Sequence, residues 1–254
     1  MKQVGYSRIA DLYDTYVAVT FDIPFFINEA KKASDVLELM AGTGRVSLPL
    51  VEAGIRLTCV DQSAEMLAIL KQKLTERHLS AQLVQMDVCE LNLAKRFDLV
   101  IIPFHSFSEI TSAEDQRQAL VRIRQHMTPG GRFICTLRNK SIRKGTPDGS
   151  LQLFSQHPLQ DGQGTLLFWM LSRADPADPH ILNIMEFFEE YDDAGFLKAK
   201  RLLELRARPV SKAEFQALAE SAGFKTMALY GDYTYSEFRE DSSPYMLWVL
   251  EQAE

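Results

Sequence analysis

Short apolar runs alternate with helical patterns through the first 140 residues of the chain. Five apolar runs of strand length lie at 35–40, 55–60, 83–86, 97–104 and 132–137. Segments with helical spacing lie at 45–53, 64–78 and 113–127, and the mixed segment 8–33, interrupted by Pro24, predicts one or two short helices. Because the strand candidates are apolar on both faces, they predict a parallel sheet covered by helices on both sides.

The alternation ends near residue 140. Residues 141–163 hold several Gly, Pro, Ser and Asp residues without helical spacing, and they predict a loop. Three strand-like runs follow at about 164–173, 181–191 and 196–208. The turn residues between these runs predict an antiparallel meander.

The end of the chain returns to helix and strand patterns. Ser211 and Glu214 form a capping-box pattern that predicts a helix at 211–222. Strands are expected near 224–230 and 245–251. The whole pattern predicts a doubly wound, Rossmann-like α/β sheet of about seven strands with an antiparallel last strand, together with an inserted antiparallel β meander.

Composition and charge narrow the classes of protein and partner. The chain has 254 residues, of which 46% are hydrophobic and 24% are charged, as in globular proteins. Its net charge of −6 disfavours a nucleic-acid partner, because such proteins usually carry a basic excess. Cys59, Cys89 and Cys135 lack metal-type spacing, so we expect buried free thiols and no metal. The sequence shows neither the apolar stretch of a signal peptide nor one long enough to span a membrane, so we expect a cytoplasmic protein.

A glycine-rich segment follows the first predicted strand. It reads VLELMAGTGR at 36–45 and leads into a helix, so a ligand can approach the backbone beside the positive end of that helix. Asp61 ends the second predicted strand, where a carboxylate can accept both hydroxyl groups of a ribose. Two glycines alone are equally consistent with a tight structural turn, so the surrounding residues decide the ligand.

Two residues near this segment indicate whether the ligand is a dinucleotide or S-adenosylmethionine. A dinucleotide fingerprint has a third glycine where this chain has Ser47. Glu38 lies on the strand before Gly42, and a carboxylate there repels a pyrophosphate but suits an ammonium or sulfonium group. The pattern therefore favours S-adenosylmethionine over NAD.

With these residues the chain resembles the class I S-adenosylmethionine-dependent methyltransferases, and within them the small-molecule N-methyltransferases of the sugar-amine and glycine N-methyltransferase-like type. The motifs that carry the resemblance lie at 38–45, at Asp61 with 63–66, at Asp87, at 97–105 and at 129–131. Met40 and Ala41 depart from the Gly-x-Gly-x-Gly loop common in the family. The resemblance covers about residues 35–138 and implies an enzyme that transfers methyl groups without a metal.

The resemblance also implies which residues hold S-adenosylmethionine. The backbone of 41–44 would cradle the methionine part, with Glu38 near its ammonium group. Asp61 would hold the ribose, Gln62 and Met66 would flank the adenine, and Asp87 would accept from the adenine amino group. The full set of expected cofactor-binding residues is Tyr13, Glu38, Met40, Ala41, Gly42, Thr43, Gly44, Arg45, Asp61, Gln62, Met66, Asp87, Val88, Pro103 and Phe104.

Methyl transfer needs few catalytic groups, because the sulfonium already activates the methyl carbon. His105 is a candidate base, since it follows the fourth predicted strand and histidine can take a proton near neutral pH; a structural histidine is the alternative. Glu109, on the same loop, is the second catalytic candidate. The expected acceptor-binding residues are Tyr6, His105, Phe107, Arg138, Trp169, Tyr191 and Tyr233.

We therefore expect methyl transfer from S-adenosylmethionine to a nitrogen, or an oxygen, of a small molecule. The alternatives are a methyltransferase acting on RNA or protein, and a non-catalytic S-adenosylmethionine-binding protein. No membrane partner is expected, and a homodimer is left open. The expected domains are a helical cap at 1–34, a cofactor-binding core at 35–139, an inserted β lid at 140–209, and a C-terminal helix and strands at 210–254 that complete the core sheet.

Overall fold

The computed structural model describes residues 5–142, 148–159 and 162–253. Its strands are β1 (Val36–Leu39), β2 (Leu57–Asp61), β3 (Gln82–Gln85), β4 (Phe97–Ile102), β5 (Met127–Arg138), β6 (Gln152–Pro158), β7 (Thr165–Ala174), β8 (Leu182–Tyr191), β9 (Leu197–Ala207), β10 (Phe224–Tyr230) and β11 (Tyr245–Gln252). Its α-helices are α1 (Tyr13–Tyr16), α2 (Ile23–Ala30), α3 (Ser47–Glu52), α4 (Ala64–Glu76), α5 (Ala113–Gln125) and α6 (Lys212–Ser221).

Seven of these strands form one mixed sheet in the order β10-β11-β5-β4-β1-β2-β3. Strands β1 to β5 run parallel to one another, and β11 runs antiparallel to both of its neighbours. This arrangement confirms the predicted doubly wound sheet with an antiparallel last strand. The strand order reverses between β1 and β4, so their carboxyl ends border the crevice in which sheets of this type bind ligands.

The sheet is buried on both faces, as the apolar runs predicted. Along β4, Leu99 packs into the core on one face and Val100 into the core on the other, and both are fully buried. Residues of α2, α3 and α4 cover the first face, and residues of α5 and α6 cover the second. Two helical layers exclude water from both sides of the central strands, which explains why these strands carry few polar residues.

Local sequence determines several helix ends. The Ser63 hydroxyl accepts from the N–H of Met66 at the start of α4, and the predicted capping box of Ser211 and Glu214 is formed at the start of α6. Pro24 lies in the first turn of α2, where its missing N–H is not needed, so it does not interrupt this helix. None of the helices in the described ranges is long and apolar enough to cross a membrane.

A separate antiparallel sheet, with the order β6-β7-β8-β9, occupies the segment predicted to hold the meander. Strands β7, β8 and β9 confirm the three predicted runs. The loop predicted over 141–163 was wrong for β6, which is an edge strand with mostly exposed side chains and therefore shows no apolar alternation. β5 also begins earlier than predicted, at Met127 and not at residue 132.

The N-terminal segment lies against this second sheet. Ile9 and Leu12 are buried in a cluster that includes Phe168 of β7. After β9, the N–H of Arg208 donates to the carbonyl of Ser108 at 2.6 Å. The second sheet is thereby joined both to the N-terminal segment and to the loop that follows β4.

Gly44→Ala is expected to destabilise the fold. Gly44 has a φ of +88°, and a Cβ atom placed there would lie 2.2 Å from Cδ1 of Leu70, which is fully buried on α4. The left-handed backbone and the displacement of Leu70 together predict a loss of about 2–4 kcal/mol in the free energy of unfolding. Urea unfolding measures this loss.

Gly54→Ala is the matched control. Gly54 has a φ of +80°, but no atom lies within 4 Å of a Cβ placed there. Only the backbone cost of about 1–2 kcal/mol applies to this variant. Equal losses in the two variants would show that the contact with Leu70 is not the reason for a glycine at position 44.

Candidate active site

An open cleft lies at the carboxyl ends of β1 and β2. It is bordered by the glycine loop, by the segments that follow β3 and β4, and by the N-terminal segment. Its lining residues are Tyr6, Tyr13, Met40, Gly42, Val60, Asp61, Gln62, Ser63, Met66, Met86, Asp87, Val88, Ser106 and Glu109. Four of them, Val60, Ser63, Met86 and Ser106, were not predicted from the sequence, although each lies within three residues of a predicted site residue.

The glycine loop and Asp61 are joined by hydrogen bonds. The N–H of Gly42 donates to Oδ2 of Asp61 at 2.8 Å, and the N–H of Ser63 donates to Oδ1 at 2.8 Å. Gly42 has a φ of +57°, and no atom lies within 4 Å of a Cβ placed there, so it leaves open space beside the backbone. Burial raises the pKa of Asp61, and the backbone N–H donors oppose that rise. The acid expected to bind ribose is therefore fixed at the edge of the cleft.

The wall beyond Asp61 is apolar apart from one acid. Met66, Met86 and Val88 line the cleft on this side. Asp87 lies among them, and its Oδ1 accepts from the N–H of Cys89 at 2.9 Å. An apolar wall with a carboxylate beside it is the environment that the sequence analysis expected for adenine.

Arg45 attaches the glycine loop to the N-terminal segment and does not line the cleft. Its guanidinium forms two hydrogen bonds of 2.6 Å with the fully buried carboxylate of Asp22, and a third of 2.8 Å with the carbonyl of Val19. The guanidinium also lies over the ring of Phe104, 4.5 Å from its centre. Arg45 and Phe104 were expected to contact the cofactor, but neither lines the cleft. They contact each other, because the glycine loop packs against the end of β4 at this point.

Thr43 makes a second attachment to the N-terminal segment. Its hydroxyl donates to Asp14 at 2.7 Å, and Lys73 of α4 pairs with the same carboxylate. Lys73 also donates to the carbonyl of Thr43 at 2.9 Å. These contacts hold α1 against the glycine loop, so that Tyr13, the first residue of α1, lies over the cleft. The Thr43 side chain itself is buried and does not line the cleft.

Glu38 lies beneath the glycine loop. Its side chain is buried, and it accepts from the hydroxyl of Ser47 at 2.6 Å. Burial raises its pKa to about 8, although Ser47 and Arg45 oppose the rise. The expected contact with an ammonium group is therefore not supported for Glu38, because its carboxyl group is turned into the protein. Ala41 is buried in the core on the same side of the loop.

His105 is not placed as a base. Its ring stacks between those of Phe104 and Tyr245, at 5.8 and 5.3 Å between centres, and it does not line the cleft. Burial, with the charges of Arg138 and Arg45, lowers its pKa to about 3. A neutral imidazole with such a low pKa is a poor proton acceptor, so the structural alternative is the one supported. Pro103, one residue before Phe104, is buried as well.

Glu109 is the predicted catalytic residue that the structure places in the cleft. It belongs to a 3₁₀ turn at Ser106–Glu109, directly after β4. Its Oε1 accepts from the hydroxyl of Tyr6 at 3.0 Å. Burial raises its pKa to about 7; Tyr6 opposes this rise, and the charge of Asp61 adds to it. A carboxyl group of this kind changes its ionisation near neutral pH.

Glu186 and Tyr16 were missed by the sequence analysis. Glu186 lies on β8, two residues before Phe188, and so shares the face of the second sheet that packs against the N-terminal segment. Burial and the charge of Glu109 raise its pKa to about 7. The ring of Tyr16 packs on Phe188 at 4.8 Å between centres. Ile184, Glu186 and Phe188 alternate along the strand and therefore point to the same face. An acid between two apolar residues of one face was the feature of the sequence that could have indicated Glu186.

Three residues expected to bind the acceptor lie elsewhere. Phe107 is fully buried in the core and packs edge-on against Phe215 at 5.3 Å. Tyr233 is also buried and packs against Phe25 at 5.8 Å, so it belongs to an aromatic cluster of the core. Arg138 ends β5 with an exposed side chain and lies outside the cleft.

Trp169 and Tyr191 lie on the far face of the second sheet. Trp169 is paired with Phe187, and its indole N–H donates to Glu189 at 3.0 Å. The hydroxyl of Tyr191 donates to the same carboxylate at 3.1 Å. Neighbouring residues of a strand point to opposite faces, so Phe187 and Glu189 point away from the N-terminal segment that Phe188 contacts. Neither aromatic residue is placed to contact an acceptor in the cleft.

The described part of the chain contains no group of three or more His, Cys, Asp or Glu side chains arranged to hold a metal ion. Cys59, Cys89 and Cys135 are free and buried, as predicted. Burial raises the pKa of each thiol. These cysteines are therefore apolar core residues whose thiols stay protonated at neutral pH.

Comparisons with known proteins place this geometry in context. Residues 36–131 match the model of a family described as a methyltransferase domain. The chain is 27% identical to the glycine/sarcosine N-methyltransferase of Halorhodospira halochloris over 95% of this chain and 85% of that protein. It is 30% identical to the cypemycin N-terminal methyltransferase of Streptomyces sp over 85% of this chain and 82% of the relative. The structure of the CcbJ methyltransferase from Streptomyces caelestis shares the fold over the whole of both chains, with a TM-score of 0.84 and 23% identity.

His105 is expected to stay neutral throughout the physiological pH range. With a pKa of about 3, its imidazole signals should not shift between about pH 5 and pH 8, where an ordinary histidine titrates. Proton–nitrogen NMR measures this, and His105→Gln identifies the signal by its loss. A midpoint near 6.5, the ordinary value for histidine, would restore His105 as a base candidate.

Proposed function

The chain belongs to the class I S-adenosylmethionine-dependent methyltransferases, and we propose that it transfers the methyl group to an amine nitrogen of a small-molecule acceptor. Glu109 carries this proposal. It is a half-buried carboxyl group in the cleft whose pKa is raised to about 7. A base with that pKa suits the removal of a proton from an ammonium group at neutral pH.

The residues around the cleft fit S-adenosylmethionine, the cofactor of this family. Asp61 offers carboxylate oxygens at the end of β2, Met66 and Met86 offer an apolar wall, and Gly42 leaves space beside the backbone. When bound, S-adenosylmethionine supplies a methyl carbon on a positively charged sulfur, so attack by a nitrogen lone pair displaces the sulfur together with the bonding electron pair. The protein then has to position the nitrogen and accept its proton.

Two observations favour a small amine as acceptor. The relatives named above are a glycine/sarcosine N-methyltransferase, whose name denotes transfer to nitrogen, and a methyltransferase of the N-terminus of cypemycin. Tyr6 and Tyr13 lie over the cleft with buried hydroxyl groups, and this burial raises the pKa of both. A cleft covered in this way suits a small acceptor better than a polymer, and the net charge of −6 opposes RNA.

Glu109 is the base in the proposed reaction. Its carboxylate takes one proton from the acceptor ammonium, which frees the nitrogen lone pair. The hydroxyl of Tyr6 donates to Oε1 and holds the carboxylate in one orientation. After methyl transfer the nitrogen is again positively charged, and the proton on Glu109 passes to solvent.

Asp61→Ala is expected to weaken S-adenosylmethionine binding about tenfold or more, because a hydrogen bond to a charged group contributes about 1.5–3 kcal/mol. Isothermal titration calorimetry measures the affinity. Glu204→Gln, which neutralises an exposed carboxylate on β9, is the control and should bind as the wild type does. Unchanged affinity in Asp61→Ala would place ribose recognition elsewhere.

The proposed function is tested by incubating the protein with a metabolite extract and S-adenosylmethionine that carries an isotope-labelled methyl group. We expect a small labelled product with the methyl group on nitrogen, identified by mass spectrometry. Glu109→Gln should lower kcat with that acceptor by about 10²–10⁴-fold, because the base is lost. Glu204→Gln should retain the wild-type rate. Label on oxygen alone, or in protein or RNA alone, would overturn the proposal.

The pH profile tests the role of Glu109 in the same assay. In the wild type, kcat/KM should fall as the pH is lowered through about 7, because the protonated carboxyl group cannot take a proton. Glu109→Gln should lack this limb while its affinity for S-adenosylmethionine stays unchanged. A limb at the same pH in the variant would assign it to another group.

A further inference from the structure

Glu186 is a largely buried carboxyl group that the proposed reaction does not yet use. It lies in the middle of β8, between Met170 of β7 and Leu203 of β9 in the strand register. Among the residues that the structure describes, its carboxylate has neither a hydrogen-bond donor nor an ion-pair partner. Burying an unpaired carboxylate is unfavourable, so this position requires a reason.

Three tyrosines connect Glu186 with the cleft. The rings of Tyr6 and Tyr13 meet edge-on at 6.0 Å between centres, and those of Tyr13 and Tyr16 meet edge-on at 5.4 Å. Burial raises the pKa of all three hydroxyl groups, and the charges of Glu109 and Glu186 raise it further. Glu109 contacts this cluster through the hydroxyl of Tyr6. Glu186 lies outside the lining of the cleft, but it shares a face of β8 with Phe188, whose ring packs on that of Tyr16 at 4.8 Å.

Among the residues that the structure describes, no basic side chain neutralises these two acids. The groups that shift the pKa of Glu109 and of Glu186 include no Lys, Arg or His residue. The other charged residues on the same face of the second sheet are Glu190 and Arg201, which pair with each other at 3.2 Å. Two like charges in a buried site disfavour each other's ionised form. A bound cation would remove that penalty, and aromatic rings stabilise an organic ammonium further.

We infer that Glu186 is the second carboxylate of the acceptor site, and that with Glu109 and the rings of Tyr6, Tyr13 and Tyr16 it binds an acceptor that enters as an ammonium cation. This inference rests on the proposed transfer to nitrogen and names the charge of its substrate. It assigns specificity to the inserted sheet, because Glu186 favours a cationic amine over a hydroxyl compound of the same shape.

The charges balance over the reaction. The acceptor enters with one positive charge and gives one proton to Glu109. The methyl group forms a new bond to nitrogen, the carbon–sulfur bond breaks with its electrons going to sulfur, and the nitrogen becomes positive again. Glu186 remains ionised throughout and stabilises the cation before the proton leaves and after the methyl group arrives.

The test uses tetramethylammonium as a cation probe and tert-butyl alcohol as an uncharged probe of similar shape. Isothermal titration calorimetry measures the binding of each to the protein saturated with S-adenosylhomocysteine. We expect the wild type to prefer the cation, Glu186→Gln to bind it about tenfold more weakly or worse, and Glu204→Gln to bind as the wild type does. Tert-butyl alcohol should not distinguish the three proteins.

A pH series on the wild type keeps the inference testable if Glu186→Gln fails to fold. Between about pH 8 and pH 6, affinity for tetramethylammonium should fall, because both carboxyl groups have pKa values of about 7 and lose their charge in this range. The tyrosines that face Glu186 stay neutral there, since their pKa values are raised above the ordinary value of 10.

The outcomes separate this inference from the proposed function. Absence of tetramethylammonium binding, or equal binding by wild type and Glu186→Gln, would overturn the cation site even if labelled methyl still reaches an amine. Cation binding that depends on Glu186, combined with label on oxygen alone, would support the cation site and overturn transfer to nitrogen.

Discussion

The buried ion pair between Arg45 and Asp22 is the contact on which the arrangement of the site depends. It joins the glycine loop to the N-terminal segment through two hydrogen bonds of 2.6 Å, and Asp22 is fully buried. Removing one member of such a pair leaves an uncompensated buried charge, which typically costs about 3–5 kcal/mol. The same guanidinium covers Phe104 at the end of β4. The glycine loop, the N-terminal segment and the loop that carries Glu109 are therefore all in contact with the guanidinium of Arg45. A movement of any one of them would disturb the other two.

The charged residues that border the cleft are all acids, Asp61, Asp87 and Glu109. Burial raises the pKa of Asp61 and of Glu109, so each of these carboxylates is less stable here than in water. Such a site repels anionic ligands and favours cations. The cofactor carries an ammonium and a sulfonium group, and the proposed acceptor carries an ammonium. The acidic lining thus explains, in one physical term, why this Rossmann-like crevice suits S-adenosylmethionine and an amine better than a dinucleotide.

The sequence predicted what buried strands and a glycine loop dictate. Strands covered on both faces must be apolar, so the central sheet was predictable, whereas the edge strand β6 has exposed side chains and left no pattern. Residues predicted at the ends of β1, β2 and β3, among them Gly42, Asp61 and Asp87, do line the cleft. The residues contributed by the second sheet were not predictable, because their position depends on which face of a strand meets which segment. Trp169 drew attention as a large aromatic residue but points outward, whereas Glu186 points inward and was missed.

The surroundings of His105 explain why this residue, although it lies on the predicted loop, is a poor candidate for the base. Phe104 and His105 adopt φ values of 56° and 65°, two successive left-handed residues without glycine. Each costs about 1–2 kcal/mol, a strain that the stacking of both rings between Arg45 and Tyr245 offsets. This turn reverses the chain at the end of β4 and directs the following 3₁₀ turn, which ends at Glu109, over the cleft. The imidazole is thus buried as part of the support for the carboxylate, and that burial removes its basicity.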